Sequence, residues 1–400
     1  MIETEMALVS SPKEHHRMKI AKFAFGLICL AILASNIVTM SRWSEARGVY
    51  DDICYLRQAH LFQRLGVGGL NTNAALDDDR YFEGKLKEIA FAEWQEPIRW
   101  PCHNPMPSGK IVMQYPPGTG FLLALFPEGH QVVPLYVAAS LIVCGLALSG
   151  IAMARTLLSV FGAGLFGALA IYLMINPAKA SYSVAPTMAL CAVAGFLTAL
   201  WLTRDKRSVL LITLIGVLLG ASVNFRLPNA LLAAGYFIYL GIAFLKVRTP
   251  SAFVQGLGLG LGVLVGMAPT LVAQAVNAGS PLATTYGSAD VVAPAFDVAV
   301  FGRYLRDMQF VLIVLAIGST AWLLRVGEGS VRQVALVVAV NLVVNLAFFL
   351  SHPIFTPYYI VPIAMLSLWS VSFAWLIQPA QAQQAAAPRR EPASLGVPTR

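Results

Sequence analysis

Charge is what this sequence has least of. Only 12% of its 400 residues are Asp, Glu, Lys or Arg, while 57% are apolar, and the mean hydropathy is +0.68. Ordinary soluble domains carry about 25% charged residues, so the composition points to a polytopic membrane protein. Metal and thiol chemistry is equally thin. Six histidines and five cysteines form no CxxC and no HExxH, and no GxSxG occurs, which leaves zinc hydrolysis and serine-nucleophile chemistry without support. Cys29, Cys144 and Cys191 fall inside apolar runs and read as small packing residues. Cys54 and Cys102 share a polar segment where an oxidising compartment would permit a disulfide. Sequence alone does not decide whether their backbones come within range.

A hydrocarbon core of about 30 Å needs about 20 apolar residues per helix. Ten runs qualify, at 22–41, 131–153, 157–176, 182–202, 208–224, 229–245, 253–275, 308–324, 333–351 and 358–378, whereas Phe121 to Phe126 is too short for an eleventh. The expected fold is an all-α polytopic membrane protein of about ten transmembrane helices. It divides into a leader at 1–21, a membrane domain at 22–378 and a tail at 379–400 rich in Ala, Gln and Pro, which cannot bury a core. The first run has a long polar leader and no clean small-x-small site after it, so it reads as a retained anchor rather than a signal peptide.

Basic residues gather in alternate connections: MKIAK before the first run, Arg155, TRDKR at 203–207, KVR at 246–248 and RVGEGSVR at 325–332. By the positive-inside rule these are cytoplasmic, and so are both termini. The net charge of +8 follows from loops that attract anionic headgroups of membrane lipids, with no nucleic-acid partner implied.

The 42–130 segment is then a large extracytoplasmic loop holding just over half of the acidic groups, and loops of that length are usually functional or carry their own structure. In DDICYLRQAHLFQRLGV, apolar residues at 53, 56, 59, 62 and 65 make a stripe, with Arg57, Gln58 and Arg64 opposite. Phe82, Leu86, Ile89 and Trp94 mark a second stripe behind Asp77, Asp78 and Asp79. Both are expected to be amphipathic helices lying in the membrane interface. The three aspartates suit a helix start better than a metal site, since no His or Glu follows at ligand spacing and no EF-hand pattern is present.

Asp51 and Asp52 open the first of those helices. A helix cap accounts for one carboxylate but not readily for both, and neighbours about 100° apart on a helix face different surroundings. Ionisable groups at a hydrocarbon edge are candidates for function. Arg226 in NFRLPN either reaches lipid phosphate or holds the phosphate of a substrate by paired hydrogen bonds. Arg303 and Arg306 admit the same two readings. His352, in SHPIFTPYYIVP, sits at a helix break, and Tyr115, in QYPPGTGFLLALF, either begins a plain helix or lines a pocket. The run GLGLGLGVLVG at 256–266 opens no helix after a strand, so it reads as close helix packing rather than a nucleotide loop.

Together these features resemble the GT-C superfamily of membrane glycosyltransferases, which includes protein O-mannosyltransferases and the aminoarabinose transferases of lipid A. Asp51-Asp52-Ile53-Cys54-Tyr55 matches its Asp-(Glu/Asp)-x-x-Tyr loop opening, and Tyr115-Pro116-Pro117-Gly118 resembles its Pro-Pro helix start. GVLLGASVNFRLP looks like its glycine-rich helix ending in an outside Arg. Tyr358-Tyr359-Ile360-Val361-Pro362 keeps the Tyr and Pro of its Arg-Tyr-x-x-Pro motif, with Tyr358 where Arg is usual, and Tyr115 stands where Lys or His often precedes Pro-Pro.

The resemblance implies inverting transfer of a sugar from a polyprenyl-phosphate donor to a hydroxyl on a glycan, lipid or protein, outside a bacterial cytoplasmic membrane. It implies Asp51 as the base with Asp52 in support, its like charge raising the proton affinity of Asp51. Donor or acceptor contacts would come from Tyr55, Tyr115, Arg226, Arg303, His352, Tyr358 and Tyr359. No cofactor is implied, and a divalent metal is left open. A transporter or flippase of lipid-linked sugars is the alternative, and a non-catalytic assembly partner a third reading. Transporters usually hold charge near the midplane of broken helices, whereas charge here concentrates in one loop.

Overall fold

The computed structural model describes residues 12–46, 50–175, 181–204, 207–287, 292–356 and 358–378, and 74% of it is helix. All ten apolar runs are helical. At 1.5 Å per residue, seven of these helices are long and apolar enough to cross a membrane. They are α1 (Pro12–Met40), α5 (Val132–Met153), α7 (Val184–Thr203), α9 (Ala234–Val247) with the 3-10 turn Leu227–Ala233 ahead of it, α10 (Pro250–Ala278), α12 (Met308–Val326) and α13 (Gly329–Leu350). Shorter apolar helices are α6 (Leu157–Tyr172), α8 (Val209–Val223) and α14 (Val361–Ile377). Helix α1 begins ten residues before the expected span and takes in His15 and His16. The tail at 379–400 and the first eleven residues lie outside the described residues.

Helix α14 is buried over nearly its whole length among α7, α12 and α13, so its apolar character serves protein packing rather than lipid contact. Helices α8 and α10 make the closest pair. Gly216, Gly220, Gly262 and Gly266 face the partner's backbone, and an added Cβ at any of them would collide with it. Of the glycines in 256–266, Gly258, Gly262 and Gly266 therefore serve packing, as the sequence reading has it, while Gly256 and Gly260 face no close neighbour.

The 42–130 segment is a folded unit. It contains α2 (Tyr50–Leu65), α3 (Tyr81–Glu88), a two-stranded antiparallel hairpin of β1 (His103–Pro105) and β2 (Ile111–Met113), and α4 (Gly118–Ala124). The exposed helix α11 (Val298–Arg306) belongs to a later connection. Ile53, Phe82, Leu86, Trp100 and Met113 form the core of the unit. This corrects the expectation for α2. Its polar face is not wholly wet: Arg57 is 0% and Gln58 1% exposed while Arg64 stays exposed, because α2 sits between the unit's own core and the helical bundle.

Arg57 is tolerated there because carbonyls receive it. Its Nη1 donates to Thr72 O and its Nη2 to Asn73 O, each at 2.9 Å. The ring of His103 faces it, with Nε2 3.2 Å from Nη1 and Nδ1 2.8 Å from Pro101 O. Nδ1 thus carries the proton and Nε2 accepts. Burial lowers the Arg57 pKa to about 10, offset in part by Asp77, so the cation persists at neutral pH. Asp77 and Asp79 accept backbone N–H groups at the start of α3, from Phe82 at 3.0 Å and Tyr81 at 3.3 Å, which is the capping role expected of them.

Cys54 and Cys102 are bridged, with Cα atoms 6.5 Å apart. The bridge ties the second turn of α2 to the hairpin across a sequence separation of 48, a closure worth about 4 kcal/mol on loop entropy alone. Replacing both cysteines by serine is expected to lower thermal stability by up to that amount. The bridge itself is checked by alkylating denatured protein: Cys54 and Cys102 should label only after reduction, and labelling without reductant would count against it.

Burial, then the Arg57 charge, depress His103 from 6.5 to about 3. The folded protein keeps this ring neutral while the unfolded chain takes a proton below about 6.5. Its contribution is therefore complete above about pH 6.5 and is lost as pH falls toward 3, at up to about 1.4 kcal/mol per unit. His103→Gln, which can donate and accept in the same places, is expected to flatten the fall in stability between pH 6.5 and 4. An unchanged slope in the variant would rule this out.

Candidate functional site

Four separate segments supply the site, and each is aimed by local chemistry. Asp51 lies in the first turn of α2, where the helix dipole favours a carboxylate. Arg226 follows α8, held in extended backbone at φ −153° just before the 3-10 turn. Tyr358 and Tyr359 precede α14, and Tyr115 precedes the Pro116-Pro117 start of α4. Tyr115 is brought up by Gly118, whose N–H donates to Asn224 O at 2.7 Å. A Cβ on Gly118 would lie 2.7 Å from both the Asn224 Cβ and its carbonyl oxygen, so only glycine allows this approach.

Asn224 in turn splints α10. Pro269 has no N–H to give within that helix. In the adjoining turn the Asn224 amide donates to Gly266 O at 2.7 Å and accepts from Thr270 N at 2.9 Å and Thr270 Oγ1 at 2.7 Å. The end of α8, and with it Arg226, is thereby fixed to α10.

At the centre, Asp51 Oδ2 accepts from Arg226 Nη2 and from the Tyr358 hydroxyl, each at 3.0 Å, while Oδ1 accepts from the Tyr115 hydroxyl at 2.5 Å. Arg226 Nε donates to Ser183 Oγ at 2.8 Å, and the guanidinium carbon lies 4.0 Å from the centre of the Tyr358 ring. Burial first, then the charge of Asp51, holds the Tyr115 hydroxyl well above its ordinary value of 10, so it stays protonated as the donor. These groups line a cavity of about 470 Å³ together with His352, Tyr359, Tyr286 and Thr284. Among the described residues the cavity offers one carboxylate, one guanidinium, one imidazole and several hydroxyls.

No family model, curated protein or solved structure matches the chain.

Of those singled out in the sequence, Asp51, Tyr115, Arg226, His352, Tyr358 and Tyr359 are brought together. Tyr55 lies behind the cavity, fully buried with its ring stacked on Tyr115 at 5.0 Å. Asp52 is fully buried and turned away, accepting the Tyr182 N–H at 3.2 Å. It holds the connection that carries Ser183, while the charge beside Asp51 is Arg226. Arg303 is exposed on α11 and does not line the cavity, because the inward face of that helix belongs to Val300 and Tyr304.

Ser183, Asn224 and Tyr286 were not foreseen. Ser183 falls at the edge of the 182–202 apolar run, Tyr286 sits in a connection without periodicity, and Asn224 adjoins Arg226 without a spacing that announces its role.

Tyr358 does two things, and they separate on substitution. Tyr358→Phe removes one hydrogen bond to Asp51 but keeps the ring under Arg226, and is expected to cost about 1.5 kcal/mol. Tyr358→Ala loses the ring as well and should cost distinctly more. Thermal unfolding in detergent checks the order, and equal losses in the two variants would show that the ring contributes nothing.

Proposed function

We propose that the chain is an inverting glycosyltransferase that moves a sugar from a polyprenyl-phosphate carrier to a hydroxyl acceptor on the outer side of a cytoplasmic membrane. The observation that carries this reading is the meeting of Asp51 and Arg226, 175 residues apart in sequence and 3.0 Å apart in space, in a cavity built by membrane helices and a folded loop. The resemblance of Asp51 to Tyr55 and of Gly216 to Pro228 to GT-C motifs supports it. In this reading all ten apolar helices are embedded, both termini are cytoplasmic and the 42–130 unit faces outward.

The chemistry follows from charge. An acceptor hydroxyl is a poor nucleophile until a carboxylate takes its proton, and among the described residues Asp51 is the carboxylate that lines the cavity. The leaving group is a phosphate monoester whose growing negative charge a guanidinium stabilises, and Arg226 supplies it. The hydroxyls of Tyr115 and Tyr358 orient the base. Asp52 acts one step back, through the Tyr182 N–H, and the glycan, lipid or protein acceptor reaches Asp51 from the cavity. A lipid-borne donor accounts for placing such a site at the end of membrane helices.

Asp51→Asn is expected to lower sugar transfer from a polyprenyl-phosphate donor at least about 100-fold while the protein still inserts and elutes as a single species. Full activity in the variant would sink the assignment of the base. Reconstituted protein that moves the lipid-linked sugar across the bilayer and forms no glycosidic bond would establish the transporter instead.

A further inference from the structure

We infer that Arg226 serves two anions in turn, Asp51 and the donor phosphate, and that this makes the order of substrate binding compulsory. The inference rests on the transferase reading above. A carboxylate has about four lone-pair positions, and three of those on Asp51 carry donors: Tyr115 on Oδ1, with Arg226 and Tyr358 both on Oδ2. Oδ2 is filled, and its charge is balanced by the guanidinium. The one open position, on Oδ1, lies on the Tyr115 side, away from a phosphate held by Arg226, so the oxygen next to the reacting carbon, Oδ2, has no position left for the proton of an incoming hydroxyl. The tyrosines are neutral, so the donor that a phosphate can draw away is Arg226.

Arg226 is mounted so that its fork can turn without leaving the site. Its Nε is anchored on Ser183 Oγ at 2.8 Å, and its plane rests on the Tyr358 ring. Nη1 takes no part in the bonds to Ser183 and Asp51, and the side chain lines the cavity. Phosphate oxygens prefer the two terminal nitrogens of a guanidinium together. A phosphate on that edge pulls Nη2 from Oδ2 and opens the lone pair that the base needs.

The steps balance. The donor phosphodiester, with one negative charge, engages Arg226 and releases Oδ2. The acceptor hydroxyl then gives its proton to Oδ2 as its oxygen bonds the anomeric carbon. The bond from that carbon to the phosphate oxygen breaks, and its electron pair stays on the phosphate. Polyprenyl phosphate gains one negative charge and Asp51 loses one. The new glycoside leaves first, since Arg226 still holds the phosphate. Release of polyprenyl phosphate, with deprotonation of Asp51, returns Arg226 to the carboxylate.

The test is binding of a short-chain prenyl phosphate to the detergent-solubilised full chain, followed by calorimetry for wild type, Asp51→Asn and Arg226→Gln. Asparagine keeps the shape: its carbonyl still accepts from Arg226 and Tyr358, and its amide faces the Tyr115 hydroxyl, which can accept. Removing the competing charge is expected to tighten binding at least about tenfold, and Arg226→Gln to weaken it by as much. A gain in affinity is not an outcome of structural damage.

Equal or weaker binding by Asp51→Asn overturns the inference and leaves the transferase reading standing. No binding by wild type overturns the donor reading, and the inference with it. Wild-type kinetics give a check that needs no variant. Prenyl phosphate, as the last product released, should compete with the donor and not with the acceptor, whereas random-order kinetics would overturn the inference.

Discussion

The contact between Asp51 and Arg226 is the constraint on which the arrangement depends. Their side chains are 19% and 11% exposed, little enough that either charge would be costly without the other. An ion pair of this kind is weak evidence for net stability, because desolvation offsets much of the attraction. What it does is specify. The loop helix α2 and the end of α8 have one mutual position in which both charges are satisfied, and the tyrosines before α4 and α14 complete the same shell.

The 42–130 unit can bear that demand because it is held from several sides. The Cys54–Cys102 bridge sits one helical turn from Asp51. Arg57, on the same helix, gathers the carbonyls of Thr72 and Asn73. Asn277, at the end of α10, accepts from Thr72 N at 2.9 Å and donates to Leu70 O at 2.8 Å, which joins the unit to the bundle. The carboxylate therefore stands on a folded unit tied to the bundle, the kind of support that holds a polar site in one geometry.

Much of the fold was legible because apolar runs in a chain so poor in charge have one use, and every expected run is helical. The reading of α2 failed where it treated Arg57 and Gln58 as a wet face. Hydrophobic periodicity counts apolar residues and cannot see that two backbone carbonyls, 15 and 16 residues downstream, will receive a guanidinium. In the site, Asp51, Tyr115, Arg226 and Tyr358 were found through short motifs. Arg303 was misplaced because a basic residue near a span looks the same whether it faces a cavity or solvent. Ser183, Asn224 and Tyr286 act only through space, and their partners lie 43, 42 and 46, and 171 residues away for Arg226, Gly266 and Thr270, and Tyr115 respectively, so no local pattern carries them.

The amide of Asn224 reaches into the turn of α10 beside Pro269, while its own backbone oxygen takes the N–H of Gly118. One residue thus joins a long helix, whose outer side exposes Phe253, Leu257, Leu261, Leu264 and Val265, to the two residues that flank the carboxylate, Arg226 and Tyr115. The turn of α10 beside Pro269 and the spacing of the charged pair form a single mechanical linkage. A displacement of that turn would carry both of these partners of Asp51 with it.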